Sequence, residues 1–265
     1  MDPFEQYATW DETTALRWAA GLDQRAADPQ QVALRAGVLA AAGLRPGQVA
    51  VEVGCGTGPL LAGLAGAVGP SGRALGVEPQ STLARIAASR LRGRAAVCLG
   101  TGAHLPVASG VADVAVAQTV LLHVPRAALP GTLAEMVRVV RPGGRVISVD
   151  QDMDGWLIDH PDRETTTRLL RQNTIHRYGE GWAGRRMPAL FRAAGLRDVD
   201  VVTTTHIDTD RDSHLHLNLL WMLADLVAAG LFPERDADRW RDQLESQPGF
   251  FAALTYYRCT GTVPR

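Results

Sequence analysis

The chain has 265 residues, with 27 basic and 28 acidic side chains and a formal net charge of −1. Hydrophobic residues make up 46% and charged residues 21%, which is typical of a globular protein with a buried core and argues against a disordered chain. A nearly neutral chain without a basic stripe disfavours a nucleic-acid partner.

The compartment is inferred from the cysteines and from the apolar stretches. Cys55, Cys98 and Cys259 are an odd number without metal-ligand spacing, so we expect neither a disulfide framework nor a metal site. Residues 1–5 are acidic and lack the apolar stretch of a signal peptide. The most apolar stretch, residues 215–232, is too short to span a bilayer. We therefore expect a cytoplasmic protein without membrane association.

The first 150 residues alternate between helical and strand patterns. Residues 13–42 have helical periodicity, and Pro29 separates two helices. Predicted strands follow at 49–53, 74–77, 95–99, 111–117 and 145–149, and predicted helices at 60–68, 81–91 and 129–140. This alternation indicates an α/β fold with a doubly wound parallel sheet that helices cover on both faces.

The second half is less regular. We predict helices at 162–175 and 187–194, and strands at 198–204 and 251–263. Between these strands lies an insertion with an apolar helical stripe formed by Leu215, Leu219, Met222, Leu223 and Leu226. The stripe suits an acceptor lid or a homodimer contact, and core packing explains it equally well. We expect an N-terminal helical lid at 1–44, a main domain at 45–205 and 248–265, and a helical insertion at 206–247.

A glycine-rich loop follows the first predicted strand. Gly54, Gly56 and Gly58 permit a tight turn and let a ligand approach the backbone closely. The dinucleotide fingerprint would place its last glycine at position 59, where this chain has Pro59. Glu52 places a carboxylate beside the loop, which repels a pyrophosphate but suits a ligand with an ammonium and a sulfonium. The loop therefore favours S-adenosylmethionine over NAD.

These residues resemble the first motif of the class I S-adenosylmethionine-dependent methyltransferases, in the branch similar to ubiquinone/menaquinone C-methyltransferases. Residues 100–106 resemble the adenine segment of that family, with Thr101 in place of its usual Asp, and residues 140–145 resemble its strand-five turn. Glu78 matches the acidic residue that accepts the ribose hydroxyls in the family. The resemblance implies a Rossmann-like sheet of seven strands in the order 3-2-1-4-5-7-6, with strand 7 antiparallel. The candidate cofactor-binding residues are Tyr7, Glu52, Gly54, Cys55, Gly56, Gly58, Glu78, Pro79, Gly102, Ala103 and Gln118.

Methyl transfer is an in-line displacement, so the enzyme mainly positions the acceptor and excludes water. His123 follows strand 4 and Asp152 follows strand 5, at the sheet edge where ligands bind, and both are candidate catalytic residues. A structural hydrogen bond for His123 and an exposed loop position for Asp152 are the alternatives. The run at 150–155 resembles the start of a calcium loop, but its twelfth position is Pro161 rather than a glutamate, so we expect no metal there.

Two further groups of residues could contact an acceptor. Arg185 and Arg186 could bind an anionic substrate or a neighbouring carboxylate. An apolar acceptor pocket could use the aromatic residues beyond position 150, namely Trp156, Trp182, Trp221, Phe232 and Trp240. Ordinary packing is the alternative in both cases.

The sequence thus predicts an S-adenosylmethionine-dependent methyltransferase that C- or O-methylates a small apolar or aromatic molecule, in the manner of natural-product tailoring enzymes. The alternative is a cyclase or pericyclase on the same fold that binds the cofactor without transferring its methyl group. A non-catalytic binding partner is disfavoured because the glycines of the loop are intact.

Overall fold

The strands form one mixed sheet. The computed structural model describes residues 7–265, so the first six residues of the predicted lid lie outside the described residues. The strands are β1 (Val49–Val53), β2 (Arg73–Glu78), β3 (Ala96–Leu99), β4 (Ala112–Gln118), β5 (Val140–Gln151), β6 (Leu157–Ile158), β7 (Arg197–Asp208) and β8 (Ala252–Thr262). They are ordered β3-β2-β1-β4-β5-β8-β7, and the two-residue β6 pairs with β8 beyond the end of β5.

The predicted sheet order is confirmed. Strands β1 to β5 are parallel, whereas β8 is antiparallel to both β5 and β7. The register pairs Arg145 with Thr262 and Gln151 with Tyr256. The strand predicted at 251–263 is β8, and the strand predicted at 198–204 is the longer β7. Strand β5 begins at Val140 rather than at 145, because Val140 already pairs with Ala112, and a register shift separates this pair from the regular ladder that starts at Arg145.

Helices cover the sheet. They are α1 (Glu12–Ala27), α2 (Pro29–Ala42), α3 (Pro59–Val68), α4 (Ser81–Arg90), α5 (Leu129–Val139), α6 (Arg163–Arg177), α7 (Ala183–Ala193), α8 (His214–Ala228) and α9 (Glu234–Ser246). Asp28 ends α1, and its carboxylate accepts hydrogen bonds from the first turn of α2, where Pro29 supplies a preset φ. Of the described helices, none combines the length and apolarity needed to cross a membrane.

The central strands are buried on both faces. Residues 50–53 of β1 and 114–117 of β4 are buried, as expected for parallel strands between two helical layers. Strand β7 is mostly exposed, with Val202 41% and Ile207 50% exposed. The core therefore lies around β1, β4 and β5, whose carboxyl ends meet at one edge of the sheet.

The apolar stripe of the insertion packs into this core. Leu215, Leu219, Met222, Leu223 and Leu226 are each no more than 3% exposed. They belong to α8, and α9 places the fully buried Trp240 and Leu244 beside them. The alternative of core packing is thus the observed one, and the stripe offers no exposed apolar face for a homodimer.

Candidate functional site

The glycine loop joins β1 to α3 at the carboxyl edge of the sheet. Gly54, Gly56 and Gly58 all have positive φ values, of 69°, 54° and 91°, which side chains rarely adopt. A Cβ on Gly54 would lie 2.5 Å from Val120 Cγ2 of the loop after β4. The loop conformation therefore requires glycine, and it brings the β1 and β4 loops into contact.

Two buried glutamates lie beneath this loop. Glu78 Oε2 accepts a hydrogen bond from Gly56 N at 2.9 Å, and Glu78 Oε1 accepts one from Gln80 N at 3.0 Å. The Oε2 atom of Glu52 is buried without a hydrogen-bond partner among the described residues. Desolvation, and then the charge of Glu78, raise the pKa of Glu52 well above its ordinary value. A bound ammonium would supply the missing donor and the missing positive charge.

The other predicted cofactor residues surround the same loop. Cys55 is buried in the loop, and Pro79 follows Glu78 directly. Gly102 and Ala103 form a tight turn closed by the bridge between Thr101 and His104, and a Cβ on Gly102 would lie 2.8 Å from Thr132 Cγ2. Gln118 ends β4, and its buried Oε1 atom has no partner among the described residues.

The N-terminal segment covers the loop. The Tyr7 hydroxyl donates a hydrogen bond to the Glu78 carboxylate. The backbone oxygen of Trp10 accepts one from Gln80 Nε2 at 3.2 Å. Asp23 on α1 accepts a hydrogen bond from Thr57 Oγ1 of the loop at 2.8 Å. It accepts another from Arg90, at the end of α4. Helix α1 therefore lies over the glycine loop.

These residues fit S-adenosylmethionine. The loop is glycine at each strained position, and two buried acceptor atoms, on Glu52 and Gln118, lack donors that an ammonium, amine or hydroxyl would provide. The Glu78 carboxylate, which the family motif assigns to the ribose, lies beneath the loop with the Tyr7 hydroxyl against it.

A cleft opens beside α1, where its lining residue Leu22 would lie 3.3 Å from a Cβ on Gly56 of the loop. One wall is α1, and the others come from the loops after β4 and β5, the end of α6, the start of α8, and β8. Its lining includes Trp18, Arg25, Thr119, His123, Gln151, Trp156, Arg177, Tyr178, Trp221 and Tyr256. Sequence patterns did not indicate Arg25, Thr119 or Arg177, because they come from three separate elements and share no local spacing.

His123 is brought into this cleft. It lies in a short 3-10 turn after β4, with its ring centroid 5.4 Å from that of Tyr178. Burial, followed by the positive charges of Arg177 and Arg25, lowers the pKa of His123 to about 4. The imidazole is therefore neutral at physiological pH, and it is a weaker base than an exposed histidine.

The turn that carries His123 is held by Asp150. Its Oδ1 accepts hydrogen bonds from Val120 N at 3.1 Å and Leu122 N at 3.2 Å, while its Oδ2 is buried without a partner among the described residues. Desolvation raises the pKa of Asp150 to about 7. Sequence reasoning assigned no role to this residue.

The expectation of an exposed position for Asp152 is wrong. The residue is 2% exposed, and both of its carboxylate oxygens face the Arg185 guanidinium in a bidentate ion pair. Its side chain also caps the 3-10 turn at 153–155. Asp152 is not among the cleft residues, so the structure offers no contact that supports a catalytic role.

The other polar candidates have structural partners. Arg186 pairs with Glu180 at 2.6 Å, so both neighbouring arginines bind carboxylates of this chain rather than facing the cleft. Among the described residues, no group of three or more His, Cys, Asp or Glu side chains could hold a metal ion.

The five aromatic residues proposed for an acceptor pocket do not all line the cleft. Trp156 and Trp221 line the cleft, as the hypothesis of an acceptor pocket requires. Trp182 instead stacks against Arg185 and Arg186, and Phe232 and Trp240 are buried in the core. The pocket hypothesis therefore applies to two of the five aromatic residues.

Comparison with known proteins agrees with this site. The profile of the family described as "Methyltransferase domain" matches residues 51–148. An uncharacterised 37.1 kDa protein in transposon Tn4556 of Streptomyces fradiae is 36% identical over 239 residues, which cover 89% of this chain and 68% of that protein.

Two named enzymes match a shorter part of the chain. Demethylmenaquinone methyltransferase of Symbiobacterium thermophilum is 33% identical over 40% of this chain and 43% of its own length. Nocamycin O-methyltransferase of Saccharothrix syringae is 36% identical over 38% of this chain and 37% of its own length. The chain thus spans less than half the length of these two relatives.

Solved structures share the fold. The YcgJ protein of Bacillus subtilis has a TM-score of 0.60 at 14% identity, with 87% of this chain and 98% of that chain covered. The [4+2]-cyclase SpnF has a TM-score of 0.54 at 17% identity, with 87% and 80% covered. The sheet order and the glycine loop together define the Rossmann-like methyltransferase fold. The chain belongs to the class I S-adenosylmethionine-dependent methyltransferases, and S-adenosylmethionine is its cofactor.

Proposed function

We propose that this chain methylates a small aromatic acceptor, in the manner of a natural-product tailoring enzyme. The observation that carries the proposal is the position of the cleft. It is lined by Trp18, Trp156, Trp221 and Tyr256, and α1, which forms one of its walls, also contacts the glycine loop. A flat apolar acceptor fits such walls.

Each part of the site has a distinct proposed role. Glu52 binds the ammonium of the cofactor, and Glu78 binds its ribose hydroxyls. When bound, S-adenosylmethionine supplies an electrophilic methyl group on its sulfonium. His123 lines the cleft and accepts the proton that the acceptor gives up, because a hydroxyl oxygen that gains a methyl group becomes far more acidic than a histidine with a pKa of about 4. Helix α1 excludes water from both ligands.

We propose a division of labour along the chain that follows the predicted one. Residues 1–44 act as the lid, 45–205 and 248–265 bind the cofactor, and 206–247 complete the acceptor cleft through Trp221 and its neighbours. The cysteines Cys55, Cys98 and Cys259 are free thiols, which suits a reducing cytoplasm.

The test is transfer of labelled methyl from S-adenosylmethionine to a panel of hydroxylated aromatic acceptors, with product masses recorded. We expect label in a product one methylene heavier than the acceptor. Replacing His123 with Asn should lower turnover by about 10²-fold or more while S-adenosylhomocysteine affinity is unchanged.

The product masses also distinguish methyl transfer from cyclisation. A product of unchanged mass, formed only when the cofactor is bound, would favour the cyclase alternative. No label in any acceptor despite tight cofactor binding would contradict the methyltransferase proposal.

A further inference from the structure

The cleft carries positive charge that the protein does not neutralise. Arg25 is half-buried, donates to Thr119 Oγ1 at 2.7 Å, and lies over the Tyr256 ring at 5.9 Å. No carboxylate oxygen among the described residues lies within 4.0 Å of its guanidinium. Arg177 also lines the cleft, and within residues 7–265 the one carboxylate within 4.0 Å of it belongs to the half-exposed Asp225, at 3.9 Å. A partly buried guanidinium without a counter-ion favours an anionic ligand.

Thr119, which accepts the hydrogen bond from Arg25, has a strained backbone conformation. It has a φ of 56°, a left-handed conformation that is rare for a β-branched residue. Backbone strain of this kind costs on the order of 1–3 kcal/mol and is concentrated at ligand sites. The strained residue and the unneutralised arginine are joined by a hydrogen bond inside the cleft.

Two residues of the cleft lining each carry a buried polar atom that has no partner in the described part of the chain. Trp156 is 4% exposed, and its Nε1–H donor is buried without an acceptor among the described residues. Gln151 is 6% exposed, and its Oε1 acceptor is buried without a donor among them. A buried indole N–H requires an acceptor such as a carboxylate oxygen, and a buried amide oxygen requires a donor such as a hydroxyl.

We propose that the acceptor is a hydroxylated aromatic carboxylate, which is methylated on its hydroxyl oxygen. The carboxylate is bound by Arg25, Arg177 and Trp156 Nε1. The hydroxyl group forms hydrogen bonds with Gln151 and His123. The ring lies among Trp18, Trp221 and Tyr256. This inference rests on the proposed function and narrows its substrate class.

The reaction balances with the groups already named. The acceptor oxygen forms a bond to the methyl carbon, and the carbon–sulfur bond breaks with its electron pair remaining on the sulfur of S-adenosylhomocysteine. The acceptor O–H bond breaks, and its proton passes to an imidazole nitrogen of His123. The guanidinium charges in the cleft favour the oxyanion that develops on the acceptor.

The test is calorimetric titration of the full chain, saturated with S-adenosylhomocysteine, with salicylate and hydroxynaphthoate and with the methyl esters of both. We expect the acids to bind at least 10-fold more tightly than their esters. Arg25→Gln should weaken acid binding by about 10- to 100-fold and leave ester binding unchanged, since a hydrogen bond to a charged group is lost. Arg17→Gln, on the exposed face of the same helix, is the matched control and should change neither.

Trp156→Phe provides a second variant that keeps the ring and removes the N–H. It should weaken acid binding alone, by several-fold. Three results would each overturn the inference. The wild type could bind acids and esters with equal affinity, Arg25→Gln could weaken the binding of both equally, or the acids could fail to bind at millimolar concentration. A wild-type protein that fails to bind S-adenosylhomocysteine would instead count against the proposed function, and the acid-to-ester ratio without the cofactor would still test the cleft.

Discussion

Asp150 should make the stability of this protein fall as the pH rises. The pKa of its buried carboxyl is about 7 in the folded chain, against about 3.9 in an unfolded chain. Between these values the folded state binds the additional proton, so ionisation disfavours folding as the pH increases. A difference of roughly 3 pKa units corresponds to about 4 kcal/mol over the full range, and to about 3 kcal/mol between pH 5 and pH 8.

Asp150→Asn isolates this effect. The amide oxygen still accepts hydrogen bonds from Val120 N and Leu122 N, and the amide nitrogen replaces the unpartnered Oδ2 atom. The orphaned amide costs on the order of 1–3 kcal/mol at every pH, so only the pH dependence identifies the carboxyl. We expect wild-type stability relative to the variant to fall by about 3 kcal/mol between pH 5 and pH 8.

Urea unfolding at several pH values measures this difference. Asp113→Asn is the control, because hydrogen bonds from Val49 N and from Arg141 lower the pKa of Asp113. That carboxylate is ionised in both states above about pH 5, so its variant should lose stability by a constant amount across the range. A constant difference for Asp150→Asn as well would refute the assignment of Asp150 as a buried, protonated carboxyl.

Three further predictions concern the cofactor loop and the strained turn. Gly54→Ala should abolish S-adenosylhomocysteine binding in calorimetry, because its Cβ meets Val120 at 2.5 Å and its φ is 69°. Gly66→Ala, with open space around its Cβ, should bind normally. Thr119→Asn should raise the free energy of unfolding by about 1 kcal/mol, since Asn tolerates a left-handed backbone. Thr119→Val should weaken salicylate binding, because it removes the hydroxyl that accepts the hydrogen bond from Arg25. Cofactor binding should lower the raised pKa of Glu52, so the affinity should rise with pH through the titration of this carboxyl; an affinity in Glu52→Gln with the same pH dependence as the wild type would contradict this.

The central strands could be predicted because their signals are local, whereas the order of the sheet was implied by the family resemblance. Each central strand is a short apolar run, and residues 50–53 of β1 are buried as that pattern requires. Glycines at positions 54, 56 and 58 mark the loop because each has a backbone conformation that other residues rarely adopt. The conformations that most constrain the cofactor loop are therefore visible in the sequence.

The acceptor cleft could not be predicted in this way. Arg25 and Thr119 are 94 positions apart and meet only because α1 crosses the end of β4. The position of Asp152 was misjudged for the same reason, since Arg185, 33 positions away, lies beside it in the fold and binds its carboxylate. Contacts between distant segments leave no periodic pattern in the sequence.

Titration with S-adenosylhomocysteine, with NAD in a parallel run, tests the central claim most directly. Wild type and Gly66→Ala should bind the adenosyl ligand saturably and with equal affinity, and Gly56→Arg should not bind it, because its side chain would fill the space between the loop and Leu22 of α1. Tight NAD binding by the wild type, or adenosyl binding that persists in Gly56→Arg, would contradict the assignment of the glycine loop as the cofactor site.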